Sequence, residues 1–218
     1  MREAFHEQLE SVFADLAGIC SRVELAVGDA SRALLTGDAE VAERVISADA
    51  DIDRAREEVE EAAFQLLSLQ APVAGDLRTV VAALRMVSEL ERMGDLSVHV
   101  AKIARLRVPG IAVPEEVRPT IERMATVAED MVRRVAEIIT RRDVAAAIAL
   151  GRADEEMDQL RRRSFAELLA DDWQHGVEAA VDIALLGRYY ERIADHAVSV
   201  ANRVVFVVTG DNPHSVTA

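Results

Sequence analysis

Asp49-Ala-Asp-Ile-Asp53 and Glu91-Arg-Met-Gly-Asp95 return later in the chain as Asp154-Glu-Glu-Met-Asp158 and Glu191-Arg-Ile-Ala-Asp195. The first pair of stretches is offset by 154 − 49 = 105 residues and the second by 191 − 91 = 100. A chain of 218 residues that matches itself at one long period is a duplication of one structural unit. Each quoted stretch carries acids at i and i+4, the spacing that sets two side chains on one face of an α-helix. The difference between the offsets shortens one inter-helix loop of the second copy by about five residues.

Working outward, the five prolines, Pro72, Pro109, Pro114, Pro119 and Pro213, fall near the junctions of long apolar-periodic segments. Between them the pattern gives six helices, roughly Glu3 to Leu35, Asp38 to Leu69, Val73 to Arg107, Glu115 to Arg141, Asp143 to Ala170 and Val177 to Val208. Asp38 after Thr36-Gly37, and Asp143 after Arg141-Arg142, read as helix N-caps following tight reversals, and they too are 105 residues apart. The fold class expected is all-α, two tandem pseudo-symmetric antiparallel three-helix bundles. The first repeat spans 1–108 and the second 114–210, with a flexible tail over 211–218.

Composition narrows the function. Half the residues are apolar and 29% are charged, as in a soluble globular protein, and no run of about 18 uncharged apolar residues could span a bilayer. A net charge of −14 opposes nucleic acid and anionic lipid and favours a cation or a cationic partner. The acid-bearing N-terminus does not read as a signal peptide, and a single cysteine, Cys20, cannot form an internal disulfide. The compartment expected is therefore the cytoplasm.

The acidic pairs Asp49/Asp53, Glu91/Asp95, Asp154/Asp158 and Glu191/Asp195 carry the chemistry. Glu91 and Asp95 fall within or beside a stripe of Leu77, Val80, Leu84, Val87, Gly94 and Val98, while Arg78, Arg85, Glu89 and Arg92 take the opposite side. The sixth helix repeats this arrangement around Glu191 and Asp195. Carboxylates drawn out of water need a proton, a base or a cation. The only bases on these faces are chiefly Arg56 and Arg188, so bound divalent or transition ions are expected: iron, zinc, manganese, magnesium or calcium. Small residues at Gly94, Ala184, Gly187 and Ala194 would leave room for ions and water. His99, one turn beyond Asp95, is a possible further ligand, whereas His196 points away and reads as an interhelix or surface hydrogen bonder.

At these residues the chain resembles the PhoU family of phosphate-signalling proteins. Glu191-Arg-Ile-Ala-Asp-His-Ala197 is similar to the family's second-half signature, and Asp76-Leu-Arg78 with Leu90-Glu-Arg-Met-Gly-Asp95 to its first-half equivalent. The resemblance implies metal ions held in some members by acids matching the four pairs. It also implies repression of the phosphate-starvation response through a sensor histidine kinase and the ATPase of a phosphate ABC transporter. A homodimer, recruited to the inner face of the membrane by its partners, is expected with it.

An enzyme is the main alternative, but no phosphate-binding Gly-rich loop, nucleophile elbow or Cys/His set is found. A carboxylate-bridged di-metal oxidase needs two Glu-x-x-His motifs, and only Glu3-Ala-Phe-His6 fits. A metal-independent helical adaptor shares the fold. Binding energy would then concentrate in a few aromatic anchors, for which Trp173 and Tyr189 are the candidates; Trp173 could equally cap the bundle end, and Tyr189 could pack between the units.

Overall fold

Two aspartates start the return strokes of the fold. Asp38 accepts a hydrogen bond from the Val41 backbone N–H at 3.0 Å, and Asp143 one from Ala146 at 2.9 Å. Each satisfies a donor that the first helical turn leaves without a partner. The residue before each cap has a left-handed backbone, Gly37 at φ 70° and Arg142 at φ 50°. Glycine takes this region at little cost; the arginine is held there by an ion pair to Glu10 at 2.6 Å and by the Phe13 ring, 4.8 Å from its guanidinium.

The computed structural model describes residues 2–211, and among them every regular element is helical. The helices are α1 (Arg2–Thr36), α2 (Ala39–Gln70), α3 (Gly75–Arg107), α4 (Arg118–Arg141), α5 (Val144–Ala149), α6 (Gly151–Leu168) and α7 (Gly176–Thr209). The all-α class and the paired three-helix bundles hold: α1–α3 form one unit and α4–α7 its repeat. Residues 212–218, most of the expected tail, lie outside the described residues.

The helix ends shift from the sequence reading by up to three residues, and two departures matter. The fourth helix begins at Arg118 rather than Glu115, with Pro119 in its first turn, where a missing N–H costs nothing. The fifth is broken into α5 and α6 at Leu150, next to Gly151, a residue that weakens helices by about 1 kcal/mol relative to alanine. The first unit has Ile46 at the equivalent place, and α2 runs through unbroken.

The units are not separate lobes. α3 packs along α7 and α1 along α4, while α2 and α5–α6 lie on the outside of their own units. Both central pairings are antiparallel. Along the first, Arg78 donates to the Val207 carbonyl at 3.4 Å, Glu89 meets His196, His99 meets Tyr189, and Arg107 meets Asp182. In the second, Glu10 faces Arg142 and Gly28 faces Glu129. A pseudo-twofold axis therefore crosses the α3/α7 seam near Met93 and Ile193, and one apolar core draws buried residues from every helix.

Candidate functional site

Gly94 explains how the first acidic cluster assembles. A Cβ there would stand 3.1 Å from Ile52 Cδ1 and 3.7 Å from Asp49 Oδ1, so α2 closes tightly onto α3 and brings Asp49 and Asp53 to the seam that carries Glu91 and Asp95. Gly187 does the same for α6: its missing Cβ would lie 3.2 Å from the buried Ser164 hydroxyl. These glycines permit close helix packing, with Ile52 and Ser164 set against them, while Gly94 and Asp49 also line a cavity between α1, α2 and α3 that keeps space for water on that side.

In the first cluster, burial and then the charges of Asp53 and Asp95 raise Asp49 above the ordinary carboxylate range, against the opposing pull of Lys102 and His99. Burial and Asp95 likewise raise Glu91, with Arg92 and Arg56 offsetting part of the effect. The positions of the bases differ from expectation. Arg56 turns along its own helix to Glu60 at 3.0 Å and Glu57 at 3.6 Å. Arg92, which periodicity set on the far face, reaches back to Glu91 at 3.6 Å and Asp95 at 3.4 Å while remaining 62% exposed. Long arginine stems make such returns easy, and exposed pairs of this kind contribute little.

In the second cluster Asp154 is pushed up to about 6 by burial and then by Asp195, Asp158 and Glu191. Glu191 is the most deeply placed of the eight acids, its side chain only 10% exposed, and each of its oxygens meets an arginine: Oε1 takes Arg161 at 3.3 Å and Oε2 takes Arg188. Arg162 lies 3.9 Å from Asp158. Sequence reading anticipated Arg188 but missed Arg161, although the repeat offset of 105 carries Arg56 directly onto it.

His99 is exposed and stacks on Tyr189 across the α3/α7 seam, ring centroids 5.3 Å apart, so Tyr189 does pack between the units. His196 Nδ1 lies 2.6 Å from Glu89 Oε2, the interhelix bond anticipated for it. Trp173 is half-buried; its indole N–H donates to the Gly176 carbonyl at 2.9 Å and its ring meets His175 edge-on, which closes the α6–α7 loop at the bundle end. Periodicity missed Tyr190, which is fully buried with its hydroxyl 2.8 Å from Ser31 of α1. Cys20 is a core residue whose thiol burial pushes up, and it packs as a small hydrophobe.

Each cluster thus gathers four carboxylates on one seam, close enough to disturb one another's charge. Among the described residues, no three Asp, Glu, His or Cys side chains stand near enough together to hold a metal ion as they are placed. The oxygen-rich first cluster, touched directly by the exposed Arg92 and influenced from a distance by Arg56, is a donor set suited to a hard divalent cation that would draw the acids in. Glu191, gripped on both oxygens by arginine, does not fit that description.

The class these features define is a duplicated all-helical protein whose two polar seams are carboxylate clusters repeated about a pseudo-twofold. A family model, the PhoU domain, matches residues 16–104 and 121–204, one copy in each unit. The phosphate-specific transport system accessory protein PhoU homolog 2 of Mycobacterium tuberculosis is 46% identical over 213 residues, 98% of this chain and all of that one. Homolog 1 of Mycobacterium leprae is 45% identical over 217 residues, 100% of this chain and 98% of that one. Among solved structures, PhoU from Pseudomonas aeruginosa superposes with a TM-score of 0.88 at 27% identity, covering 95% of this chain and 100% of the other. The regulatory protein PhoU from Streptococcus pneumoniae gives 0.85 at 25%, covering 95% and 98%. The chain belongs to the PhoU family. The names of these relatives are those of accessory and regulatory proteins rather than enzymes, in agreement with the expectation of a non-enzymatic chain.

Proposed function

We propose that this chain is a negative regulator of phosphate uptake and of the phosphate-starvation response, working by binding a sensor histidine kinase and the ATPase of a phosphate ABC transporter. The observation that carries the reading is the full-length match to phosphate-transport accessory proteins, with both copies of the acidic motif present. No helix among the described residues is long and apolar enough to cross a membrane, which suits a cytoplasmic protein, a homodimer on this reading, brought to the membrane by its partners. Deleting the gene should switch on a phosphate-starvation reporter in rich phosphate, and the intact chain should restore repression; a reporter that stays silent in the deletion strain overturns the proposal. Asp49, Asp53, Glu91 and Asp95 would hold a divalent cation, with His99 joining them only by leaving its stack on Tyr189, and the ion would supply positive charge beyond that of Arg92, Arg56 and Lys102. Asp154, Asp158, Glu191 and Asp195 form its repeat, where the arginine contacts of Glu191 favour the metal-independent adaptor. Tyr189 and Trp173, both half-buried, remain the proposed partner anchors.

A further inference from the structure

Arg56 and Arg161 are the same residue of the repeat, yet they do opposite things. Arg56 is bound to Glu57 and Glu60 on its own helix and stays off the Glu91 carboxylate. The residues standing 105 later are Arg162 and Phe165, so neither of those holding acids exists in the second unit. Arg161 is left to lie over the Phe165 ring, 5.5 Å from its centroid, and to reach Glu191. Arg188 completes the contact from α7, and its counterpart at an offset of 100 is Ser88, whose hydroxyl bonds back to the Leu84 carbonyl at 3.2 Å. The second unit therefore brings two arginines into direct contact with its buried carboxylate, whereas in the first only Arg92 touches Glu91 and Arg56 acts on it from a distance. A buried carboxylate already satisfied by two guanidinium groups gains little from a metal ion, which would first have to break both contacts.

We infer that the second acidic cluster is closed to metal by its own arginines, Arg161 and Arg188, so that the two halves of this duplicated chain have divided roles: a cation-dependent first seam and a self-neutralised second one. The inference rests on the metal reading of the first seam given above, and the two fail separately. Full-length protein, purified without an affinity tag and stripped with chelator, is dialysed against manganese(II), and bound manganese is measured by elemental analysis with helicity checked by circular dichroism. Glu91→Gln with Asp95→Asn should lower bound manganese about tenfold, and Glu191→Gln with Asp195→Asn should leave it unchanged. Arg161→Gln with Arg188→Gln should raise it about twofold as the second seam opens. Should the arginine variant misfold, the converse graft decides: Glu57→Arg with Glu60→Phe places the second unit's residues in the first, releases Arg56 toward Glu91, and should reduce bound manganese. Loss of metal in the Glu191 and Asp195 variant, or no gain in a folded arginine variant, overturns the inference. Wild-type protein that binds no manganese removes the metal reading of the first seam alone, and a gain in the arginine variant would still uphold the closure.

Discussion

Single side chains join the halves of this molecule. Ser31 donates to the Val27 carbonyl at 2.7 Å, so the Tyr190 hydroxyl is the donor in the bond between them, and Tyr190→Phe removes that bond without leaving an unsatisfied group. The expected cost is about 1 kcal/mol in urea unfolding, with the helical spectrum unchanged. Asp154 makes a pH prediction. Its folded value is raised to about 6, against about 4 for an unfolded aspartate, so its ionisation works against folding. The penalty is absent below pH about 4, grows as pH rises toward 6, and is complete above it. Asp154→Asn should therefore stabilise the protein at pH 7 by about 1 kcal/mol once solvent screening of this half-exposed group is allowed for, and have no effect near pH 4; an equal effect at both pH values would refute the assignment. The acids themselves were legible because their spacing repeats. The bases were legible only in Arg188, since an arginine stem reaches either side of its helix and only the three-dimensional neighbours decide which, as Arg92 and Arg161 show.

At the level of helices, the caps and the stripe positions were readable because Asp38 and Asp143 obey local rules that tertiary packing did not disturb. The ends of the stripes were not: Leu77 matches the apolar period but lies in the first turn of α3 and is exposed. The α5/α6 break was hidden as well, because a lone glycine is tolerated in most helices. An alanine at 151 would meet nothing within 4 Å, and Gly151→Ala should raise stability by up to about 1 kcal/mol and join α5 to α6. Gly94 behaves oppositely. Gly94→Leu must displace Ile52 and force α2 from α3, costing about 2 kcal/mol, with the thermal midpoint lowered accordingly. A variant as stable as wild type would show that α2 is free to shift.

Across the whole molecule, the duplication was visible in the sequence, but the sharing of one core was not, because periodicity identifies a buried face without saying what buries it. The seam is closed at one end by Arg107, which donates to Asp182 through Nε at 2.5 Å and through Nη2 at 3.1 Å and also contacts Glu178. Separately purified pieces spanning 1–108 and 114–218 should each be poorly folded or self-associated, and on mixing should form one equimolar complex, seen by size-exclusion chromatography. Two stable, indifferent monomers would contradict the shared core. The Ser31–Tyr190 bond bridges residues 159 apart in the chain. During synthesis, α1 leaves the ribosome long before α4 and α7 exist to cover it, so the first half must wait with its inner face wet, sheltered by chaperones or by a second nascent copy. Folding of this chain is thus committed only near the end of translation, and truncated products should be degraded rather than accumulate as working half-molecules.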